Sequence, residues 1–198
     1  MQFLEKSEPH GHLEVWKHYP DGKKELHFKD DNVICSGMGA TLAEMFDAEP
    51  TVDVENFQCV YFRCGSGGQT SYQVSSRSDV KEPFSRAQYG TGNLNMSIHN
   101  LIANGAKSAS TTAFGVIPYG YIKRITPTKC MWQIVLDEQT LNVGDNDPDE
   151  GYINEIGLFS KNPYVESTDA SMLCAYRYFK KIYKTDAFIL VFRWTIEF

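Results

Sequence analysis

The sequence predicts a mainly β protein: an antiparallel β-sandwich or barrel-like domain with one or two short helices. Three observations carry this. The chain ends in a sustained alternation, with Phe188, Leu190, Phe192, Trp194, Ile196 and Phe198 on one side and Ile189, Val191, Arg193, Thr195 and Glu197 on the other. Such a period of two is the mark of a strand with one buried face. Similar runs recur upstream at roughly 10- to 20-residue spacing and are joined by turn residues, which favours antiparallel pairing. Aromatic residues make up 13% of the chain, with 11 Tyr and 12 Phe, and such residues favour pleated, half-buried surfaces.

Taken in order, the first elements form a hairpin. Leu13, Val15 and Trp16 alternate with polar residues, Pro20-Asp21-Gly22 makes a turn, and Leu26 and Phe28 share a side of the return strand. Residues 1–31 are therefore expected as an N-terminal arm or hairpin at the edge of the molecule, and residues 32–198 as a β-rich structural domain. Ser36 is placed to cap a helix in which Met38, Leu42, Met45 and Phe46 fall on one stripe, ended by Pro50. Residues 57–63 are apolar on both alternating faces, which predicts a strand buried on both sides. The stretch 69–92, rich in Ser, Gln, Arg and Gly, reads as a long surface loop of the kind that serves function or is ordered by a partner. A second helix is expected from Asn93, with Leu94, Ile98, Leu101 and Ile102 on its stripe and Asn104-Gly105 at its end. Beyond it, residues 113–125, 130–137, 152–159 and 172–179 carry strand patterns, and the terminal strand closes the chain with Phe198 expected in the core.

Composition narrows the function. With 42% hydrophobic residues, 198 positions suffice for one sizeable folded domain. The net charge of −6, with both signs interspersed, gives no electrostatic reason to bind nucleic acid or an anionic membrane. No stretch approaches the ~20 apolar residues of a membrane span. The opening Met-Gln-Phe-Leu-Glu-Lys carries charge where a secretory signal needs an apolar run, so a soluble protein made without a signal peptide is expected. The five cysteines (Cys35, Cys59, Cys64, Cys130 and Cys174) form no CxxC pair. Three of them, Cys59, Cys130 and Cys174, sit in apolar strand-like runs and are expected as buried reduced thiols. Cys59 and Cys64 have the spacing of half a metal site, without a second half.

The remaining candidates for chemistry fall short of their motifs. Asp145, Asp147 and Asp149 repeat every second residue as in a calcium loop, but position six is Glu150 instead of Gly and position twelve is Ile156 instead of Glu. Gly65-Ser66-Gly67-Gly68 follows a strand but lacks the order and the Lys-Ser/Thr ending of a phosphate loop. His10 and His12 share a strand face without a third ligand. No nucleophile elbow, HExxH or clustered carboxylate pair is present. The expectation is therefore a non-enzymatic protein with no catalytic residue, cofactor site or metal site.

One segment is more specific. Ile153-Asn154-Glu155-Ile156-Gly157-Leu158-Phe159 is followed by a second run, Leu173-Cys174-Ala175-Tyr176-Arg177-Tyr178-Phe179, then by Lys180-Lys181-Ile182-Tyr183-Lys184-Thr185 and the terminal strand. This order resembles the C-terminal part of virion structural proteins of tailed bacteriophages, of the tail, tail-fibre or neck/baseplate-associated kind. Weaker similarities, in the stretch from Asn32 through the helix to Phe46 and in residues 60–68, extend it over 32–198. The resemblance implies a virion component assembled in the host cytoplasm, acting as a homo-oligomer that docks onto other virion proteins. A capsid-decorating or head-fibre attachment protein is the nearest alternative. A carbohydrate- or receptor-binding module is another, with Trp16, Tyr19, Tyr119 and Tyr121 as its candidate aromatics. Glu155 is expected to pair with Arg177 or Arg193 across the sheet, or else to stand at the surface.

Overall fold

The computed structural model describes residues 9–47, 57–65, 114–140, 142, 152–160 and 172–198. Within them lie ten strands and one α-helix: β1 (His10–His18), β2 (Lys24–Asp31), β3 (Val33–Ile34), α1 (Ser36–Asp47), β4 (Tyr61–Gly65), β5 (Phe114–Val116), β6 (Ile122–Thr126), β7 (Lys129–Leu136), β8 (Ile153–Phe159), β9 (Leu173–Ile182) and β10 (Ile189–Glu197). A 3-10 turn, Tyr119–Tyr121, precedes β6. The strands form two five-stranded sheets, ordered β2-β1-β10-β7-β6 and β3-β9-β8-β4-β5, and every pairing is antiparallel. The sheets are not closed into a barrel, so the sandwich is the architecture adopted. Among the described residues no helix is long and apolar enough to cross a membrane.

The terminal strand is the centre of the first sheet. β10 pairs with β1 from His10↔Glu197 to His18↔Ile189, and with β7 on its other side from Lys129↔Glu197 to Leu136↔Leu190. Its inward residues Leu190, Phe192, Trp194 and Ile196 are each 0% exposed. They meet Phe62, Cys64, Ile156, Leu158, Cys174 and Phe179 of the second sheet in one apolar cluster. Alternation fixes this register, because a slip of one residue would turn the whole inward set to solvent.

The hairpin forms as its turn residues require. Gly22 takes φ +84°, the Tyr19 amide donates to the Lys23 carbonyl at 2.9 Å, and the Lys23 amide donates to Asp21 Oδ1 at 2.8 Å. Only β2 is at the edge; β1 lies inside the sheet, hydrogen-bonded to β10.

Three expectations need correction. Phe198 is not in the core: β10 ends at Glu197, which pairs with the first residues of both β1 and β7. Phe198 overruns the sheet and is 38% exposed, its amide held by the Thr128 carbonyl at 2.9 Å. The strand expected over 57–63 instead begins at Tyr61 and runs to Gly65, because the backbone before it turns on itself, the Val60 amide donating to the Gln58 carbonyl at 2.9 Å. The Cys59 carbonyl accepts the Trp132 indole N–H at 2.7 Å, and the Val60 carbonyl accepts the Ile117 amide at 2.6 Å. Glu155 is neither at the surface nor paired as expected. It is 0% exposed and accepts a hydrogen bond from the Tyr176 hydroxyl at 2.6 Å. Arg177 pairs in register with Ile156 and so points to the opposite face, where its guanidinium reaches Asp30 of the other sheet. Arg193 lies over the Trp16 ring. The second helix from Asn93, the 69–92 loop and the acidic loop 145–150 lie outside the described residues.

The ionisable groups tie this fold to pH. Burial holds His18 below the ordinary histidine range, helped by the charges of Lys24 and Arg193. Burial does the same to His27, against the opposing contact of its ring with the Lys180 carbonyl. An unfolded chain takes up these protons near the ordinary histidine value of 6.5, whereas the folded chain does so only at lower pH. The unfolded state therefore binds more protons, and stability falls as pH drops through that window. Glu14, held low by its hydrogen bond from Lys29, and Asp137, held low by Thr140, extend the loss into the carboxylate range. The urea midpoint is expected to be lower at about pH 5.5 than at about pH 7.5, with part of the difference removed by His27→Gln. A midpoint that rises on acidification would contradict this account.

Candidate functional site

Helix α1 runs from Ser36 to Asp47. The side chain of Ser36, expected as its cap, lies outside the described part of the molecule. The expected apolar stripe divides in two. Met38 is buried against the core, together with Thr41 one turn further on, whereas Met45 and Phe46 are 40% and 84% exposed. Together with Met38 and Thr41, Leu42 and Met45 form one wall of an open cleft of about 270 Å³. The opposite walls are the segment from Phe57 to Val60, the Tyr119 turn, and Ile122, Cys130 and Trp132 of the first sheet's edge. Phe198 completes it: the residue expected in the core forms part of an exposed apolar rim.

Among the described residues, no ionisable acid or base other than thiols and the Tyr119 phenol lines the cleft. Its polar groups are few. Thr41 Oγ1 lies 2.6 Å from Ser160 Oγ, 3.4 Å from the Met172 sulfur and 3.9 Å from Cys174 Sγ. The Trp132 indole N–H is satisfied by the Cys59 carbonyl, which fixes one wall to the floor. The Cys59 thiol is pushed up by donating a hydrogen bond to Cys174 and by burial, so it stays protonated near neutral pH. Such a cleft offers dispersion and apolar burial to an occupant.

The residues singled out from sequence mostly stay apart. All five cysteines are free. Cys64 is buried in the core, whereas Cys59 lines the cleft. Cys59 precedes its strand, whereas Cys130 and Cys174 lie on β7 and β9 as expected. His10 lies 3.8 Å from Glu197 at the surface, and among the described residues no group of three potential metal-ligating side chains is assembled.

The four aromatics proposed for a carbohydrate platform do not share one. Trp16 donates to Glu14 Oε2 at 3.0 Å beneath the Arg193 guanidinium, and Tyr19 packs on Phe188. Tyr119 and Tyr121 sit at the entry to β6, three strands from β1 in the sheet order and so roughly 14 Å away. Sequence reasoning missed Thr41, Gln58 and Ile122 as members of the cleft. Of these only Thr41 carried a signal, its i+3 spacing from Met38 on the inner helix face. Compared with known protein families, with curated proteins and with solved structures, the chain matches none.

Proposed function

We propose that the chain is a non-enzymatic structural component of a tailed-phage virion. In this reading it self-associates and docks onto tail, neck or baseplate proteins. The observation that carries the reading is the uncharged cleft with its exposed aromatic surroundings, Tyr119 at 80% and Phe46 at 84% exposure. Aromatic and Met side chains are enriched, and Asp, Glu and Lys depleted, at the centres of protein interfaces. A contiguous exposed apolar patch, unlike apolar residues scattered singly, marks an interaction surface. The resemblance of residues 153–198 to virion proteins supplies the setting, and repeated copies about an axis supply the reason for self-association.

The test is light scattering after size-exclusion chromatography, alone and with purified tail, baseplate and capsid parts. The expected result is a defined oligomer or a complex with tail parts. Phe46→Glu combined with Tyr119→Glu is expected to weaken that association at least tenfold while leaving the urea midpoint unchanged, since both side chains project into solvent. Binding to capsid shells alone would favour the decorating role. A monomer with affinity for no virion part would overturn the proposal.

A further inference from the structure

A residue that follows β7 and one that follows β9 meet at a buried contact, and because β7 belongs to the first sheet and β9 to the second, this contact spans the sandwich. Lys184 is 0% exposed, and its Nζ donates to Asn142 Oδ1 at 3.1 Å and to the Thr185 carbonyl at 2.7 Å. The carboxamide is also held by its nitrogen, since Asn142 Nδ2 donates to the Glu138 carbonyl at 2.6 Å. Its oxygen is thereby kept toward the amine. We propose that Lys184 and Asn142 are the two halves of a self-formed isopeptide bond, a covalent brace between the two sheets.

Position and burial both favour the reaction. A carbonyl bond is about 1.2 Å long, so Nζ stands within about 4.3 Å of the Asn142 Cγ that it attacks. The flexible four-carbon stem of a lysine lets its amine swing from Oδ1 to that carbon. Holding amine and carboxamide side by side turns a bimolecular encounter into an intramolecular one. The Phe188 ring, its centre 5.4 Å from Nζ, gives the amine an apolar neighbour. Burial holds the amine below the ordinary lysine range, at about 8, against the attraction of Asp137, Glu138 and Asp186, so a neutral, nucleophilic fraction exists near neutral pH. In the reaction Lys184 first gives a proton to water. The Nζ lone pair then attacks Cγ, and the carbonyl opens to a tetrahedral oxyanion. As the carbonyl re-forms, the Cγ–Nδ2 bond breaks, and the proton that Nζ sheds passes to the departing nitrogen, which leaves as ammonia. One amine and one carboxamide thus become one secondary amide and ammonia, with no oxidant or reductant required.

The test is mass spectrometry of the whole chain. It is held folded at about pH 9, where most of the Lys184 amine is neutral, and then weighed intact and after unfolding and tryptic digestion. The expected result is a chain lighter than its sequence by one ammonia, with a branched peptide joining Lys184 to Asn142 and no cleavage after Lys184. Asn142→Ala, a change at a half-buried position, is expected to keep the full sequence mass and to be cleaved after Lys184. A parent chain that keeps its full mass and is cleaved after Lys184 would overturn the proposal. So would a mass loss that no peptide joining these two residues accounts for, or the same loss and blocked cleavage in Asn142→Ala. None of these outcomes depends on whether the chain associates with other proteins.

Discussion

Truncating Trp194 to alanine is expected to lower the unfolding free energy by about 4 kcal/mol, within the range for large buried aromatics. The side chain is 0% exposed at the middle of β10, paired in register with Leu13 on one side and Trp132 on the other. It stands where both sheets meet, so neighbours on each side resist closing the space it leaves. Its indole N–H has no hydrogen-bond partner among the described residues, whereas that of Trp132 donates to the Cys59 carbonyl. Replacing each by Phe separates the two effects. At position 194 the change removes an unsatisfied donor along with some volume and should cost about 1 kcal/mol; at 132 it also strips a carbonyl of its partner and should cost about 2 kcal/mol. Urea unfolding of the variants measures all of this. A Trp194→Ala variant within about 1 kcal/mol of the parent chain would show that β10 is not the centre of the core.

How far these features could be read beforehand depends on what each one requires. The inward faces of β7, β9 and β10 were legible because a period of two with large apolar residues has one packing solution. The turn at Gly22 was legible because few residues accept its φ. Strand ends were less so. Phe198 keeps the alternation, but whether it is covered depends on where β1 and β7 begin, which its own neighbours do not encode. The pattern over 57–63 is strand-like, yet the Val60 amide closes on the Gln58 carbonyl and the Trp132 indole takes the Cys59 carbonyl. Charges were the hardest. Lys184 is 0% exposed, donating to the Thr185 carbonyl at 2.7 Å and to Asn142 at 3.1 Å, and burial lowers its pKa to about 8. The cleft was not legible at all, because its walls come from separate segments that only the strand order brings together. Spacing drew attention to Cys59 and Cys64, whereas the structure puts one on the cleft wall and the other in the core.

Two glycines of α1 should respond in opposite directions to the same substitution. A Cβ on Gly37 would stand 2.3 Å from the Leu173 carbonyl oxygen and 2.8 Å from its carbon. The clash is with backbone in β9, so no rotamer relieves it and the helix must move. Gly37→Ala is expected to destabilise the fold by about 3 kcal/mol, the upper part of the usual range for overpacking. A Cβ on Gly39 meets nothing within 4 Å, and its backbone is ordinary helix. Gly39→Ala should therefore stabilise by up to about 1 kcal/mol, through the lower entropy of the unfolded chain. The consequence reaches the cleft, because α1 carries Met38, Thr41, Leu42 and Met45 on the wall it contributes. Moving the helix off β9 shifts that wall, so Gly37→Ala should also weaken any association made through the cleft, while Gly39→Ala leaves it intact. Urea midpoints and light scattering on the two variants read both effects. Equal stability for the pair would mean that α1 does not sit against β9 at the close approach that only a glycine permits.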